Sequence, residues 1–489
     1  MAKISEIYNL QCSQNELDFI DIDILNDTPL FIDPYRMSRI SGPFINEANI
    51  IIGNYFSYLT ELLVAKNYTE AKKVFIHLNE VNETCLGYSR NKPKGTGLGI
   101  ISSNDVFEAM KKSQAVKYGL MKSLEDIRVF VPGVDADRIS DMTANIIRKL
   151  LIEYTKNQCN IFNIPLTPCV ASGFYWNPQS RQWEQEYSDM LVIEGKKYIL
   201  VPKIIVTYGD RVTSGNYFDH FVLNFLQAEN IRNNTRIVQR RKCKKNKGTP
   251  FVYKKDIINK QLKKPNEEKF TVSKEWLAGF TKAHSRVFDK FKNESFSKMK
   301  EIDYNENKSE IAEYLINKLK SIQPGTTDAS IYHITMLCVL EFIFYPNISN
   351  PRKEQEINEG RKRIDIIYNN TASKGFFYDL LEKYDILASF VMVECKNYST
   401  DVNNPELDQL IGRFSKQRGR FGISTSRIAK DYSTLIKRCS DIHMAGNGLV
   451  IPLLDDDIIK ILEDVKNGAE NDGLDMLLDK FTQVVFPSR

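Results

Sequence analysis

The sequence predicts an α/β (mixed) protein. A C-terminal mixed sheet flanked by helices follows a larger N-terminal α+β region of no assignable fold. Three observations carry this reading. Apolar residues make up 42% and charged residues 26% of 489 residues, ordinary usage for a globular chain long enough to bury more than one core. Apolar spacing switches repeatedly between the two-residue period of strands and the wider period of helices. A polar, aperiodic stretch, Glu301-Ile-Asp-Tyr-Asn-Glu-Asn-Lys-Ser, divides residues 1–300 from residues 309–489.

Several classes are excluded at once. No apolar run reaches the ~18 residues of a transmembrane helix, and the N-terminus lacks the apolar core of a signal peptide. A cytoplasmic protein with no membrane partner is expected. The eight cysteines form no CxxC pair and no Cys/His cluster at zinc spacing, so they read as reduced thiols, with a hidden zinc site as the alternative. The net charge of +5, from 67 basic against 62 acidic residues, is nearly balanced, and only the placement of charge bears on a nucleic-acid partner.

In the N-terminal region, Phe19-Ile-Asp-Ile-Asp-Ile-Leu has the alternation of a half-buried strand, 46–66 has helical spacing, and Val74-Phe-Ile-His-Leu reads as a short buried strand. The loop Gly87-Tyr-Ser-Arg-Asn-Lys-Pro-Lys-Gly-Thr-Gly-Leu-Gly completes neither phosphate-binding glycine pattern and reads as a surface loop. Residues 137–154 read as one amphipathic helix with Ser140 as N-cap and with Asp137 and Asp141 favouring its N-terminus. A hairpin turns at Glu194-Gly195-Lys196, where the string ExK is set aside because a turn does not hold both side chains on one pleated face. Between 236 and 264 stand twelve Lys or Arg against one Asp, including Arg240, Arg241, Lys242, Lys244 and Lys245. Such a run neutralises phosphates or forms a solvated loop, and both readings stay open.

The C-terminal region opens with a helix over 309–322, ended by Pro324-Gly325, and a largely buried helix over 328–344 that carries Glu341. Strand-like segments surround Arg361-Lys-Arg-Ile-Asp-Ile-Ile-Tyr, where Asp365 sits among isoleucines. An acid is costly to bury there unless it is paired or binds a cation. A short helix over 376–384 precedes the apolar strand Ser389-Phe-Val-Met-Val-Glu-Cys-Lys. Residues two apart on a strand share a face, so Glu394 and Lys396 emerge together. A helix follows, with Asn404 as cap, Pro405 at its first position and Gln409 within it. Strands at 419–426 and 448–454, a helix between them and a helix over 457–466 complete the order.

Asp365 on one strand, Val-Glu394-Cys395-Lys396-Asn on the next, Gln409 on the following helix and this element order together resemble the PD-(D/E)xK restriction-endonuclease-like superfamily, especially its Mrr-type branch. The resemblance covers 309–489 only. It departs from the family at Ile364-Asp365, where Pro-Asp is usual, and in the longer helical insertion before Glu394.

The resemblance implies that Asp365 and Glu394 ligate Mg²⁺ or Mn²⁺ together with the carbonyl of Cys395, and that Lys396 orients or deprotonates the attacking water. It implies that Glu341 binds a second metal directly or through water, and that Gln409 orients Lys396 or a phosphate. Arg413, Lys416, Arg418 and Arg420 are expected to grip the nucleic-acid backbone. The implied function is DNA cleavage in bacterial restriction or anti-phage defence. The N-terminal region would be a sensor, recognition or docking module, working with a homo-oligomer or a defence-system partner protein. An RNA (tRNA) nuclease and a non-enzymatic interaction protein are the alternatives.

Overall fold

A five-stranded mixed sheet organises the C-terminal region in the computed structural model of the protein. The structure describes residues 2–487 apart from 88–102, 210–211, 243–245, 265–266, 268, 299–301, 305, 358–361 and 470–471. Two helices, α1 (Lys308–Ser321) and α2 (Ala329–Phe344), lead into β1 (Ile348–Ile357) and β2 (Lys362–Asn370). Then come α3 (Phe376–Glu382), β3 (Phe390–Lys396), α4 (Asn404–Ile411), β4 (Phe421–Ser426), α5 (Tyr432–Met444), β5 (Leu449–Leu454), α6 (Asp455–Lys466) and α7 (Asp472–Val485).

The strands lie in sequence order. β1, β2 and β3 pair antiparallel, whereas β4 and β5 add parallel. The parallel half follows from its connections, since α4 and α5 each carry the chain back across the sheet. β3 from Val391 onward and all of β4 are buried, because both faces of the sheet centre are covered, even though β4 ends in Ser424-Thr425-Ser426. α2 covers one face, where Tyr368 donates its hydroxyl to the Leu337 carbonyl at 2.8 Å. α4 packs on β3 and β4.

The buried apolar side chains fall into two clusters, one running from Ile4 to Phe291 and the other from Ala312 to Val484. Ile161, at the end of an N-terminal helix, belongs to the second cluster. In the N-terminal region, helices Pro43–Val64, Ala136–Ile146 and Arg148–Ile161 pack with several small sheets. No helix of the described residues is long and apolar enough to cross a membrane.

Several local expectations need correction. Val74 and Phe75 end the helix Tyr68–Phe75 instead of forming a strand; an apolar run that short does not distinguish the two by period. Residues 137–154 belong to two helices that meet at Ile147, and the first is capped by Asp135, whose side chain accepts from Arg138 N–H. Ser140 instead accepts from the Ile32 amide at 2.9 Å. The alternating segment at 19–25 forms no strand: it makes isolated bridges at Phe19 and Asp23 and turns at 24–25, and Asp21 is buried as well as Ile20 and Ile22. The hairpin at Glu194-Gly195 is as expected, with Ile193 paired to Lys196 and both turn residues at positive φ. The Gly-rich loop from Tyr88 to Gly99 lies outside the described residues.

Candidate active site

β2 and β3 bring the predicted residues together. Ile366 pairs with Val393, so the antiparallel register carries Asp365 opposite Glu394, on the face away from Tyr368. Asp365 Oδ2 accepts from the Cys395 amide at 3.0 Å, which ties the two strands where their ladder ends. On β3 the pleat aligns Glu394 and Lys396, and Lys396 Nζ lies 2.6 Å from Glu394 Oε1.

α4 supplies the next layer. Its N-terminus is fixed by a capping box between Asn403 and Glu406, with Pro405 in the first turn; the cap is one residue before the expected Asn404. Gln409 reaches the Glu394–Lys396 pair. In one orientation its amide oxygen accepts from Lys396 Nζ at 3.4 Å. In the other its nitrogen donates to Glu394 Oε1 at 3.1 Å while its oxygen accepts from Arg413 Nη2 at 3.0 Å, satisfying both ends.

Arg413 has a different place from the one expected. It is 3% exposed and forms an ion pair with Glu394 Oε2. Arg413 is therefore part of the cluster and has no free face for a nucleic-acid backbone. Arg418 is drawn in behind it and donates from Nε to the Arg413 carbonyl at 2.9 Å. Lys416 and Arg420 are exposed and line a depression of about 530 Å³ with Asp408 and Asn447.

The electrostatics follow from burial and crowding. Glu394 is 1% exposed. Burial and then the Asp365 carboxylate push its carboxyl above the ordinary range, while Lys396 and Arg413 pull it down. Burial lowers the Lys396 ammonium most, but Glu394, Asp365 and Tyr398 together hold the group above its usual value. Lys396 is accordingly a protonated cation at neutral pH.

Glu341 is not brought to this cluster. It is wholly buried, and its Oε1 lies 3.0 Å from Lys203 Nζ of the N-terminal region. Asp18 lies nearby, accepting from Tyr154 at 2.6 Å and from the Asn350 amide at 2.9 Å. Burial, opposed by Lys203, pushes Glu341 up to about 8. It is thus a contact between regions and no candidate ligand beside Asp365 and Glu394. The residue of α2 that does reach the site is His333, whose Nε2 lies 3.2 Å from the Cys395 carbonyl. His333 stands eight residues before Glu341, about 12 Å along the helix axis. No acidic motif marked it in the sequence.

Asn397 closes the Glu394-Cys395-Lys396-Asn string, but its role is not legible from the sequence. It donates to the Gln323 and Gly325 carbonyls at 2.9 and 2.8 Å, clamping the α1–α2 connection to the end of β3. In the basic run, Arg240 and Arg241 stand on or beside a two-residue strand pair, and Arg241 lies over Phe251 at 5.5 Å. Lys242 is exposed, and Lys244 and Lys245 lie outside the described residues.

A family described as Domain of unknown function (DUF8370) matches residues 9–213, which lie wholly within the N-terminal region. No curated protein and no solved structure matches the chain.

Proposed function

We propose that the C-terminal region is a restriction-endonuclease-like domain that hydrolyses DNA phosphodiester bonds with Mg²⁺ or Mn²⁺, in bacterial restriction or anti-phage defence. The observation that carries this reading is the convergence of Asp365, Glu394, Lys396 and Gln409 from two adjacent strands and the helix that follows them.

The donor set fits a hard divalent cation. Asp365, Glu394 and the Cys395 carbonyl offer only oxygen, and a cation between the two carboxylates relieves the repulsion that raises Glu394. When bound there, such an ion polarises a phosphate and acidifies a bound water. The chain's own residues do the rest. Lys396, protonated beside Glu394, neutralises charge that develops on the phosphate oxygens. Gln409 and Arg413 fix the Glu394 carboxylate, and thereby Lys396, before substrate arrives. The Asp365 bond to the Cys395 amide holds the two carboxylates in register.

One observation favours a second reading. Both Glu394 oxygens already have cationic partners, as in a structural ion cluster. The C-terminal fold would then be the scaffold of a non-enzymatic interaction protein. Incubating the full-length chain with Mg²⁺ or Mn²⁺ and separate DNA and RNA pools decides among these. Cleavage of DNA that stops on chelation is the expected result. Cleavage of RNA alone moves the assignment to an RNA (tRNA) nuclease. Cleavage of neither, with biological function retained by Glu394→Ala, establishes the scaffold reading.

A further inference from the structure

A second cluster of ligating side chains differs in chemistry from the Asp365–Glu394 pair, offering two sulfurs and one carboxylate. Cys12, Glu16 and Cys338 each offer one atom, and these atoms lie within 4.8 Å of one another. Among the described residues this is the group of three His, Cys, Asp or Glu side chains close enough to share a metal ion. Cys12 and Glu16 come from the N-terminal region, and Cys338 from the middle of α2.

Three features distinguish the cluster from a chance meeting. The two sulfurs are 3.5 Å apart. Two Zn–S bonds of ~2.3 Å at a tetrahedral angle put sulfurs ~3.8 Å apart, whereas a disulfide needs ~2.05 Å. Glu16 is 2% exposed, and while its Oε2 accepts from the Ser13 amide at 2.8 Å, its Oε1 is buried with no hydrogen-bond partner among the described residues. An unpaired buried carboxylate oxygen is costly, and a cation removes that cost. The charges also close. Two thiolates and one carboxylate around a divalent ion leave one negative charge, and the Lys318 ammonium interacts with Cys338, Cys12 and Glu16.

We propose that Cys12, Cys338 and Glu16 form a binding site for a thiophilic divalent cation, zinc(II) by its ligand set, which ties the N-terminal region to α2. Mixed sulfur and carboxylate ligation suits zinc and not the hard ions expected at Asp365 and Glu394. Cys12 and Glu16 also line a cleft of about 560 Å³ with Ser13, Glu310 and Tyr314, which gives solvent access to the cluster. Binding displaces the thiol protons into solvent. Spacing arguments miss the site because Cys12 and Cys338 are 326 residues apart.

The test uses full-length, metal-stripped protein kept reduced, titrated with cobalt(II) as a spectroscopic stand-in for zinc. One equivalent should produce a thiolate-to-cobalt charge-transfer band that zinc(II) abolishes. Cys12→Ser, at the half-exposed and therefore tolerant position, should lose most of that band with unchanged circular dichroism. Glu16→Gln should weaken binding at least tenfold. Absence of the band in the wild type, its full retention in Cys12→Ser, or a Cys12–Cys338 disulfide persisting under reducing conditions would each overturn the site. None of these readouts depends on nuclease activity.

Discussion

At the scale of single residues, Glu394 is the most constrained side chain of the candidate site. Asp365 opposes it, Lys396 and Arg413 pair with it, and Gln409 completes its shell. Removing one partner of a buried ion pair leaves the other uncompensated, at about 3–5 kcal/mol. Arg413→Met should therefore lower stability to urea by about 3 kcal/mol, whereas Lys416→Met, at an exposed position, should change it by less than about 0.5 kcal/mol. Equal midpoints for the two variants would show that Arg413 is not the buried partner described. A second residue-scale prediction concerns Glu341, whose folded carboxyl is pushed up to about 8. The unfolded chain loses that proton near pH 4.3, so the folded state holds an extra proton between these values. The stabilising contribution is full below the lower pH and is lost as pH rises through the higher one. Glu341→Gln should flatten the fall in urea midpoint between about pH 5 and pH 8, and an unchanged slope would contradict it. Glu394 and Lys396 were legible because a strand's pleat alone places them together, and Asp365 because an acid among isoleucines needs a reason. The partners of Glu341 and Arg413 were not legible, since Lys203 lies in another region of the chain and the burial of Arg413 depends on how the loop after α4 folds.

Among the elements, α4 sets how closely Gln409 approaches the strand pair. Leu410 lies against Gly422 of β4 so tightly that a Cβ there would meet its side-chain carbons at 3.0–3.2 Å. Gly422→Val should lift α4 from the sheet and move Gln409 and Arg413 away from Glu394. Cleavage should fall by at least tenfold, about 1.4 kcal/mol in barrier, while the far-ultraviolet circular dichroism stays native. Undiminished cleavage would mean that this packing does not position Gln409. Most C-terminal elements could be read from apolar period and caps, as α4 illustrates with Pro405 and Glu406 in its first turn. β1 begins at Ile348, earlier than its polar sequence suggests, because Ser349 and Asn350 are buried against the N-terminal region. α7 was missed although Leu477, Phe481 and Val484 carry helical spacing. Val74-Phe75 went to a helix because Asn67 caps that segment and Ala71 continues its buried face.

For the molecule as a whole, the two apolar cores are joined by a buried polar contact that the sequence did not disclose. Lys203 and Glu341 are 1% and 0% exposed. Lys203→Met alone should destabilise the full chain by about 3 kcal/mol, because it leaves the Glu341 and Asp18 carboxyls buried without their cationic partner, and combining it with Glu341→Gln should recover part of that loss, since the two side chains interact. Additive effects of the two changes would show that the contact does not couple the regions. The proposed chemistry rests on Asp365 and Lys396, and it is tested by cleavage of one DNA substrate in Mg²⁺ by the wild-type chain and by purified Asp365→Ala and Lys396→Ala variants whose folding is verified. Cleavage by the wild type, abolished by chelation, and none by either variant is the expected result. Cleavage at the wild-type rate by both variants would contradict it.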